Sequence, residues 1–387
     1  MIKTNSRARC ALVGLACAAL AFLWQWLTVG ANYDGNWTAF YYTGAELQHP
    51  PELAKENIYS FKKTQGYDGQ MYHYIAHDPF FHRGFTGYID APRMRYRRIL
   101  IPLSAYLLAL GRDPWIDKAY AAIVLLSIFL GGYWLSVFCA QLGYRAAFGL
   151  AFLLIPATLI SIDRFTVDAA LAALSIAFAL YASRESFAPL YATLVAAALV
   201  RETGLLLIAA YAAWLLWNRK FPRAIIFLTA AFPALAWYLF VEINTEPETF
   251  SFVSRIPFLG FAERVRNPYH YQFAGWISAI STLLDYVALV GIATAVALAL
   301  WILWRREWGP VAMCAYAFAL LAVVLNSPGA WTEIYAFGRT LSPLLILLGL
   351  FGISKRNWIY LAPLVLVIPR TIIQLAPQAG GIARHWI

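Results

Sequence analysis

The chain has 387 residues, of which 61% are hydrophobic and 13% are charged, whereas a soluble domain carries roughly a quarter of its residues as charges. The apolar residues fall in long blocks with few charges, which excludes a soluble globular domain and predicts an all-α polytopic membrane protein. The formal net charge of +10 lies in short Lys and Arg clusters beside these blocks, a placement typical of topology signals and phosphate ligands, so we expect no nucleic-acid partner.

The first apolar block, residues 10–31, follows a basic amino terminus and could be read as a secretory signal. At about twenty residues, with Trp24 and Trp26 inside it, this block is longer and bulkier than the apolar region of a typical signal peptide. We therefore expect a retained first transmembrane span.

A long polar loop, residues 32–115, follows the first span and holds two candidate carboxylates, Asp34 and Asp68. Within it, residues 66–78 concentrate carboxylate, imidazole and phenol groups. We expect this stretch to form an interfacial helix with its tyrosines in the headgroup region. The apolar run at residues 99–110 is short for a span and is expected to lie in the interface or re-enter the membrane.

The parity of the spans sets the orientation of the whole chain. With the amino terminus inside and residues 99–110 not spanning, every later short basic turn falls in the cytoplasm, as the positive-inside rule requires. The sequence thus predicts one integral membrane domain over residues 1–387, with a core at about 10–220, further helices at about 221–387 and the first loop outside. The expected spans, about eleven in number, lie near residues 10–31, 116–139, 146–162, 165–183, 187–200, 203–217, 224–243, 282–304, 309–325, 340–354 and 358–375.

The same parity places several charged residues at or near membrane depth on the outer side, together with the loop at residues 244–273. These charged residues are Asp163, Asp168, Arg201, Glu202 and Arg339. A set of charges on one side of the membrane favours a single polar cavity that opens outward. The alternative is that each is an ordinary helix-end charge whose side chain reaches to water.

His73 and His77 are four residues apart, so in a helix they would share one face, as metal ligands often do. Without a third ligand at a defined position this signal is weak. We predict no metal and no other cofactor, with a divalent metal as an open alternative that lacks a clear motif. The four cysteines lie within or beside apolar runs without metal-ligand spacing, so we expect neither a disulfide nor a cysteine zinc site.

Asp68 has two interpretations. A short acidic side chain at a helix start can cap the helix, or it can present a carboxylate to a cavity, where the neighbouring Gly69 would leave room for a substrate.

A series of short motifs resembles a known family. Tyr67-Asp68-Gly69, then Tyr72 and Ile75-Ala76, then Arg98-Ile-Leu-Ile-Pro102-Leu resemble the W-D-G, Y, I-A and F-P-L-Y-P series of GPI-anchor mannosyltransferase-like proteins, which belong to the GT-C superfamily of membrane glycosyltransferases. Residues 163–168 are similar to the second acidic outer loop of that family. Residues 199–205 are similar to its Arg-x-x-Gly-Leu motif. The resemblance covers about the first 210 residues, and the rest only in hydropathy.

The resemblance implies a transferase that takes a sugar from a polyprenyl-phosphate donor on the non-cytoplasmic face and passes it to a lipid or envelope glycan acceptor. It implies an acidic residue of the first loop as catalytic base. We expect Asp68 in this role, with Asp34 as the competitor because such a base often lies close behind the first span. Contacts to the donor phosphate or the substrates are expected from Arg201, Glu202, Arg339, Asp163, Asp168, His73, His77 and Arg98.

Two departures from the family pattern leave metal dependence and the acceptor open: Tyr67 replaces a Trp, and a strict Asp-x-Asp pair is lacking. The expected partners are the donor, the acceptor and membrane lipids, and we expect a bacterial inner membrane with the active face toward the periplasm. A membrane transporter and a non-catalytic scaffold of glycan assembly are the alternative classes. A transporter would show charges at span centres and an internal repeat.

Overall fold

The computed structural model describes residues 4–248, 253–271, 275–326 and 328–386. This part of the chain is almost entirely helical, because apolar segments in lipid can satisfy their backbone groups only within themselves. The α-helices are α1 Thr4–Asn32, α2 Asp68–His77, α3 Pro92–Arg97, α4 Leu100–Leu108, α5 Asp113–Gln141, α6 Pro156–Arg164, α7 Asp168–Ser183, α8 Phe187–Val200, α9 Leu205–Trp217, α10 Phe221–Leu228, α11 Phe232–Asn244, α12 Leu259–Arg266, α13 Gly275–Trp304, α14 Pro310–Val324, α15 Pro328–Trp331, α16 Ile334–Thr340, α17 Ser342–Lys355, α18 Ala362–Ile373 and α19 Ala376–Trp386.

Short 3₁₀ helices and one pair of strands complete the described secondary structure. The 3₁₀ helices are Trp37–Tyr41, Pro51–Glu56, Phe85–Tyr88, Ala146–Leu154, Glu202–Gly204, Thr229–Ala231 and Trp358–Leu361. Strands β1 (Thr43–Gly44) and β2 (Ser60–Phe61) pair in parallel within the first outer loop.

Four helical segments are long and apolar enough to cross a membrane, at residues 7–32, 113–141, 221–244 and 275–304. Three further helix pairs meet this criterion only together, with bends of 61° before α6, 49° between α16 and α17, and 45° between α18 and α19. The described residues thus form an all-α membrane protein with four to seven candidate spans. The remaining expected spans fall on the shorter apolar helices α7, α8, α9 and α14, so the expected number of about eleven stays a prediction.

The first span packs closely along α5 through small residues. A Cβ on Gly14 would lie 2.7 Å from the carbonyl oxygen of Phe129, and a Cβ on Gly132 would lie 2.5 Å from Sγ of Cys17. Only glycine fits at such distances. Close backbone approach at small residues is a main source of helix association in lipid, where burying apolar surface between helices gives little advantage over lipid contact. The α1–α5 pair therefore provides a rigid frame, and α2 and α4 of the first outer loop both contact α5.

Helix α2 lies in the protein interior. All ten of its residues are buried, including Tyr72 and Tyr74, because α4, α5 and the 3₁₀ helix Trp37–Tyr41 surround it. The expectation of tyrosines in the headgroup region is therefore wrong, since the loop folds over them. Asp78 holds the next turn, because its carboxylate accepts hydrogen bonds from backbone N–H groups of the segment that follows it.

Helix α4 has nine residues, about 14 Å at 1.5 Å per residue, and the hydrocarbon core of a bilayer is about 30 Å thick. It is thus too short to cross by itself, in agreement with the expected parity. Of the outer loop expected at residues 244–273, residues 249–252 and 272–273 lie outside the described part of the chain.

Reporter fusions test the resulting orientation. We expect fusions after Arg223 or Arg306 to report the cytoplasm and fusions after Asp78 or Asn267 to report the outer side, because basic turns are retained inside. The measurement pairs a reporter active only outside with one that fluoresces only inside. A cytoplasmic signal after Asn267 would overturn the orientation.

Candidate functional site

Helix α2 brings Asp68 into the interior at its first turn. Gly69 makes this possible, because a Cβ there would lie 2.3 Å from the carbonyl oxygen of Arg164 and 2.8 Å from that of Tyr41. The protein itself fills the space beside Gly69, so the expectation that this glycine leaves room for a substrate is wrong. The N-cap position belongs to Tyr67, and the Asp68 side chain is directed to arginines instead of capping the helix.

The carboxylate of Asp68 is held by arginines from two distant parts of the chain. Its Oδ2 lies 2.6 Å from Nη1 of Arg95 and 2.5 Å from Nη2 of Arg339. Arg98 is 3.9 Å from the same oxygen. Burial by itself would raise the pKa of the Asp68 carboxyl, but the three guanidinium groups outweigh burial and hold that pKa well below its usual range. In this pairing Asp68 is ionised and is a weak base.

A second carboxylate, Asp168 at the start of α7, extends this group. Its Oδ2 is 3.4 Å from Nη1 of Arg339, and its Oδ1 pairs with Arg201. Arg201 also donates a hydrogen bond of 3.0 Å to the hydroxyl of Thr340. Arg339 thus bridges the carboxylates of Asp68 and Asp168.

Glu202 is the third carboxylate. Arg98 donates to both of its oxygens, at 2.9 and 2.6 Å, and also to the hydroxyl of Tyr72 at 3.0 Å. Two-pronged contacts of this kind fix the position of a guanidinium plane. Arg95 also donates to both oxygens of the exposed Asp90, at 2.9 Å each. We call the four arginines and the three carboxylates described above the arginine network; its members are Asp68, Arg95, Arg98, Asp168, Arg201, Glu202 and Arg339.

Asp163 lies beside the arginine network and is joined to it through tyrosines. The hydroxyl of Tyr335 donates to Asp163 at 2.8 Å, and the hydroxyl of Tyr67 donates to the backbone oxygen of Tyr335 at 2.8 Å. The Arg339 guanidinium lies over the Tyr67 ring, 4.9 Å from its centroid. Arg164, at 2.8 Å, also pairs with Asp163. Asp163 is therefore buried and fully engaged in holding α6 and α16 together.

The structure thus brings six of the residues selected from the sequence into one network: Asp68, Arg98, Asp168, Arg201, Glu202 and Arg339. Asp34 stands apart, with an exposed side chain in the turn after α1. His73 and His77 also lie elsewhere, in contact with Glu56 and Asp117.

Sequence reasoning missed Arg95, although it lies in a run of closely spaced arginines before α4.

Sequence reasoning also missed a buried cluster in the carboxyl-terminal half. Asp285 of α13 lies 2.8 Å from Nη2 of Arg264 and 2.7 Å from Nε of Arg370, and the hydroxyl of Tyr271 donates to it at 2.7 Å. A lone carboxylate within a long apolar helix was the available signal.

Removing this carboxylate should destabilise the protein strongly. Asp285→Asn leaves two guanidinium groups buried without an opposite charge, which costs about 3–5 kcal/mol. The measurement is the free energy of unfolding in detergent micelles. Glu307→Gln, which removes an exposed pair with Lys355, is the matched control and should change that energy by less than about 1 kcal/mol. Equal effects of the two substitutions would contradict the assignment.

Two cavities meet at Trp331, close in sequence to the arginine network. One, of about 240 Å³, is lined by apolar side chains of α12, α13 and α14. The other, of about 540 Å³, is lined by polar and apolar residues of α12 and the segment after it, among them Glu263, Arg264 and His270. Trp331 lines both and stacks on Phe337 with 5.8 Å between ring centroids. Phe337 belongs to α16, two positions before Arg339, so Trp331 connects the lining of both cavities to the helix that carries Arg339.

Comparison with known proteins gives no match of this chain to a family model, to a curated protein or to a solved structure.

Proposed function

We propose that the protein is a membrane glycosyltransferase that takes a sugar from a polyprenyl-phosphate donor at the outer membrane edge and passes it to a lipid or envelope glycan acceptor. The observation that supports this most is the arginine network, because residues that resemble three separate motifs of one family share a buried cluster around Asp68. A lipid phosphate is a ligand suited to it, since guanidinium groups bind phosphate oxygens in pairs.

The proposed reaction is a single displacement. The acceptor hydroxyl oxygen attacks the anomeric carbon, the bond from that carbon to the phosphate oxygen breaks, and its electron pair leaves with the phosphate. The hydroxyl proton passes to a carboxylate, as in general base catalysis. Arginines in a dry site would stabilise the negative charge that grows on the leaving phosphate.

Donor binding would also make the Asp68 carboxylate a stronger base. Asp68 is a weak base while Arg95 and Arg339 hold its carboxylate. The donor phosphate is a diester with one negative charge, and it competes with Asp68 for Arg339. Each guanidinium that turns to phosphate leaves Asp68 with less positive charge beside it. The pKa of Asp68 would then rise toward the range in which a carboxylate removes a proton efficiently. Donor binding and base activation are thereby coupled in this proposal.

The apolar cavity at Trp331 suits the polyprenyl tail, because hydrophobic side chains line it and one wall is the candidate span α13. A bacterial inner membrane with the arginine network toward the periplasm remains the proposed location, and the positive-inside rule supports the orientation in it.

The decisive experiment has two parts. Purified protein in lipid is incubated with radiolabelled polyprenyl-phosphate sugars and an acceptor lipid fraction, and the product is separated by its mobility. In parallel, the envelope glycans of a deletion strain are profiled, and a truncated glycan would name the sugar and the acceptor. Absence of transfer for every donor together with an unchanged glycan profile would refute the proposal.

A transporter is the second candidate, and the bent helix pairs favour it. Broken helices with charged residues near the break form the binding sites of many transporters, and Arg339 lies two residues before the break at Leu341 between α16 and α17. Movement of an unmodified sugar or lipid across proteoliposomes, without a new covalent product, would favour this class.

A further inference from the structure

A second polar cluster lies on the face of α2 opposite Asp68. His73 and His77 follow Asp68 by five and nine residues in α2, which places them about 140° and 180° around the helix at about 100° per residue. Both imidazole side chains are fully buried. They face Glu56, at the end of a 3₁₀ helix in the first outer loop, and Asp117, near the start of α5. Three segments of the chain therefore meet at this cluster.

The ligand atoms of these four side chains are spaced as they would be around a metal ion. His73 Nε2 lies 3.0 Å from Asp117 Oδ1 and 3.7 Å from Glu56 Oε2. His77 Nε2 lies 3.8 Å from that Asp117 oxygen and 3.5 Å from that Glu56 oxygen. All four ligand atoms fall within 4.8 Å of one another. Four ligands at about 2.0–2.1 Å in a tetrahedron are about 3.3–3.4 Å apart, so small side-chain shifts complete the geometry.

The hydrogen bonding of the same atoms is incomplete. Among the residues that the structure describes, His73 Nε2, His77 Nε2, both Glu56 carboxylate oxygens and Asp117 Oδ1 are buried without a well-formed hydrogen bond. Buried polar atoms in proteins normally have at least one hydrogen-bond partner. Nitrogen and oxygen lone pairs that converge on one point are satisfied together by a cation.

A further carboxylate orients one of the imidazoles. Nδ1 of His77 lies 2.9 Å from Oδ1 of Asp113, which in turn accepts a 2.8 Å hydrogen bond from Arg83. A carboxylate behind a histidine fixes the proton on Nδ1 and directs the Nε2 lone pair toward the cluster. Such an outer partner is typical of metal-binding histidines.

We propose that Glu56, His73, His77 and Asp117 bind a divalent transition-metal ion of the zinc class, although the sequence alone predicts no metal. Two neutral imidazoles and two carboxylates neutralise a divalent ion, which suits a buried position. Mixed nitrogen and oxygen ligands in a tetrahedral arrangement favour zinc over magnesium or calcium, which prefer oxygen ligands alone. Four protein ligands leave no open coordination position, so the ion is structural.

The ion would tie the first outer loop and α2 to the frame formed by α1 and α5. Because α2 carries Asp68 on its other face, the metal would fix the position of Asp68 in the arginine network without contacting the substrate. The metal site itself does not depend on which reaction the arginine network carries out.

The test uses tag-free, full-length protein in detergent, treated with a chelator and then with zinc alone. We expect one tightly held zinc per chain by elemental analysis and a higher melting temperature after zinc addition. Cobalt(II), added in place of zinc, should give the visible absorption bands of tetrahedral coordination. Manganese should compete weakly. None of these measurements depends on transferase activity, so the metal site and the proposed function fail separately.

Single substitutions then assign the ligands. His77→Gln and Glu56→Gln should each lose the stoichiometric zinc and the zinc-dependent rise in melting temperature. His82→Gln, which changes an exposed histidine of the same loop, is the matched control and should keep both. Should either ligand variant not fold, the zinc titration of the unmodified protein still decides the matter. A wild-type protein that holds less than stoichiometric zinc, or whose melting temperature is unchanged by zinc, would refute the site.

Discussion

Asp68→Asn is expected to lower sugar transfer by on the order of 10²- to 10⁴-fold, the usual contribution of a general base. The amide keeps the size of the side chain but accepts no proton at neutral pH. Asn also keeps one oxygen toward Arg95 and Arg339, so we expect the variant to insert and fold with reduced stability. The measurement is product formed per molecule of protein in membranes, with the amount of protein determined separately.

Asp34→Asn is the matched control. Asp34 is exposed and should tolerate the change with transfer within about two-fold of the unmodified protein, since surface substitutions usually have small effects. Transfer retained in Asp68→Asn but lost in Asp34→Asn would move the role of base to Asp34. Transfer retained in both variants would refute the proposed mechanism, because neither carboxylate would then be the base.

The pH dependence of transfer tests whether the donor prepares the base. The profile of kcat/KM reports groups of the free enzyme, and the profile of kcat reports groups of the donor complex. Because three arginines hold the pKa of Asp68 well below its usual range in the free protein, kcat/KM should show no acid limb from Asp68 near neutral pH. The acid limb of kcat should lie at higher pH, because Arg339 is then engaged by phosphate. If the acid limbs of the two profiles lay at the same pH, Arg339 would remain paired with Asp68 in the donor complex.

The sequence predicted the class of fold and much of the arginine network, and the reason is physical. Apolar blocks bounded by charges define helices in lipid, and the parity of those blocks assigns each charged end to one side. That assignment was sufficient to group Asp68, Asp168, Arg201 and Arg339, which come from four separate segments of the chain and meet in the structure.

Periodicity could not predict how the first outer loop folds. The stretch around Asp68 is rich in tyrosine and glycine, a composition that fits an interfacial helix as well as a buried one. Gly69 is an example. Its lack of a side chain could have left space for a ligand at an interface, but in the structure it allows close contact with the backbone of Arg164. Glu56 and Asp117 join the two histidines only through this folding, since they are separated from them by many residues and follow no repeat.

The second large effect is expected at Arg339, which bridges Asp68 and Asp168. Arg339→Ala should raise the KM for the donor and lower kcat, since a guanidinium that binds the leaving phosphate stabilises its growing charge. It also leaves two buried carboxylates with one cation fewer, and breaking a buried pair in this way costs about 3–5 kcal/mol. Transfer and unfolding should therefore both change, and Arg339→Lys should restore part of each, because lysine keeps the charge but not the two-pronged geometry.

A double substitution separates the two effects. In Arg339→Ala, Asp168 keeps Arg201 as its partner, but the buried network has one positive charge fewer. Asp168→Asn in the double variant removes one buried negative charge as well, so the free energy of unfolding should recover in part, whereas the KM for the donor should stay high because the phosphate ligand is still missing. Arg266→Ala, which removes an exposed arginine of α12, is the matched control and should leave the KM for the donor and the unfolding energy nearly unchanged. Full transfer by Arg339→Ala at matched protein levels would exclude Arg339 from the donor site. Recovery of donor use together with stability in the double variant would mean that Arg339 acts only by neutralising Asp168.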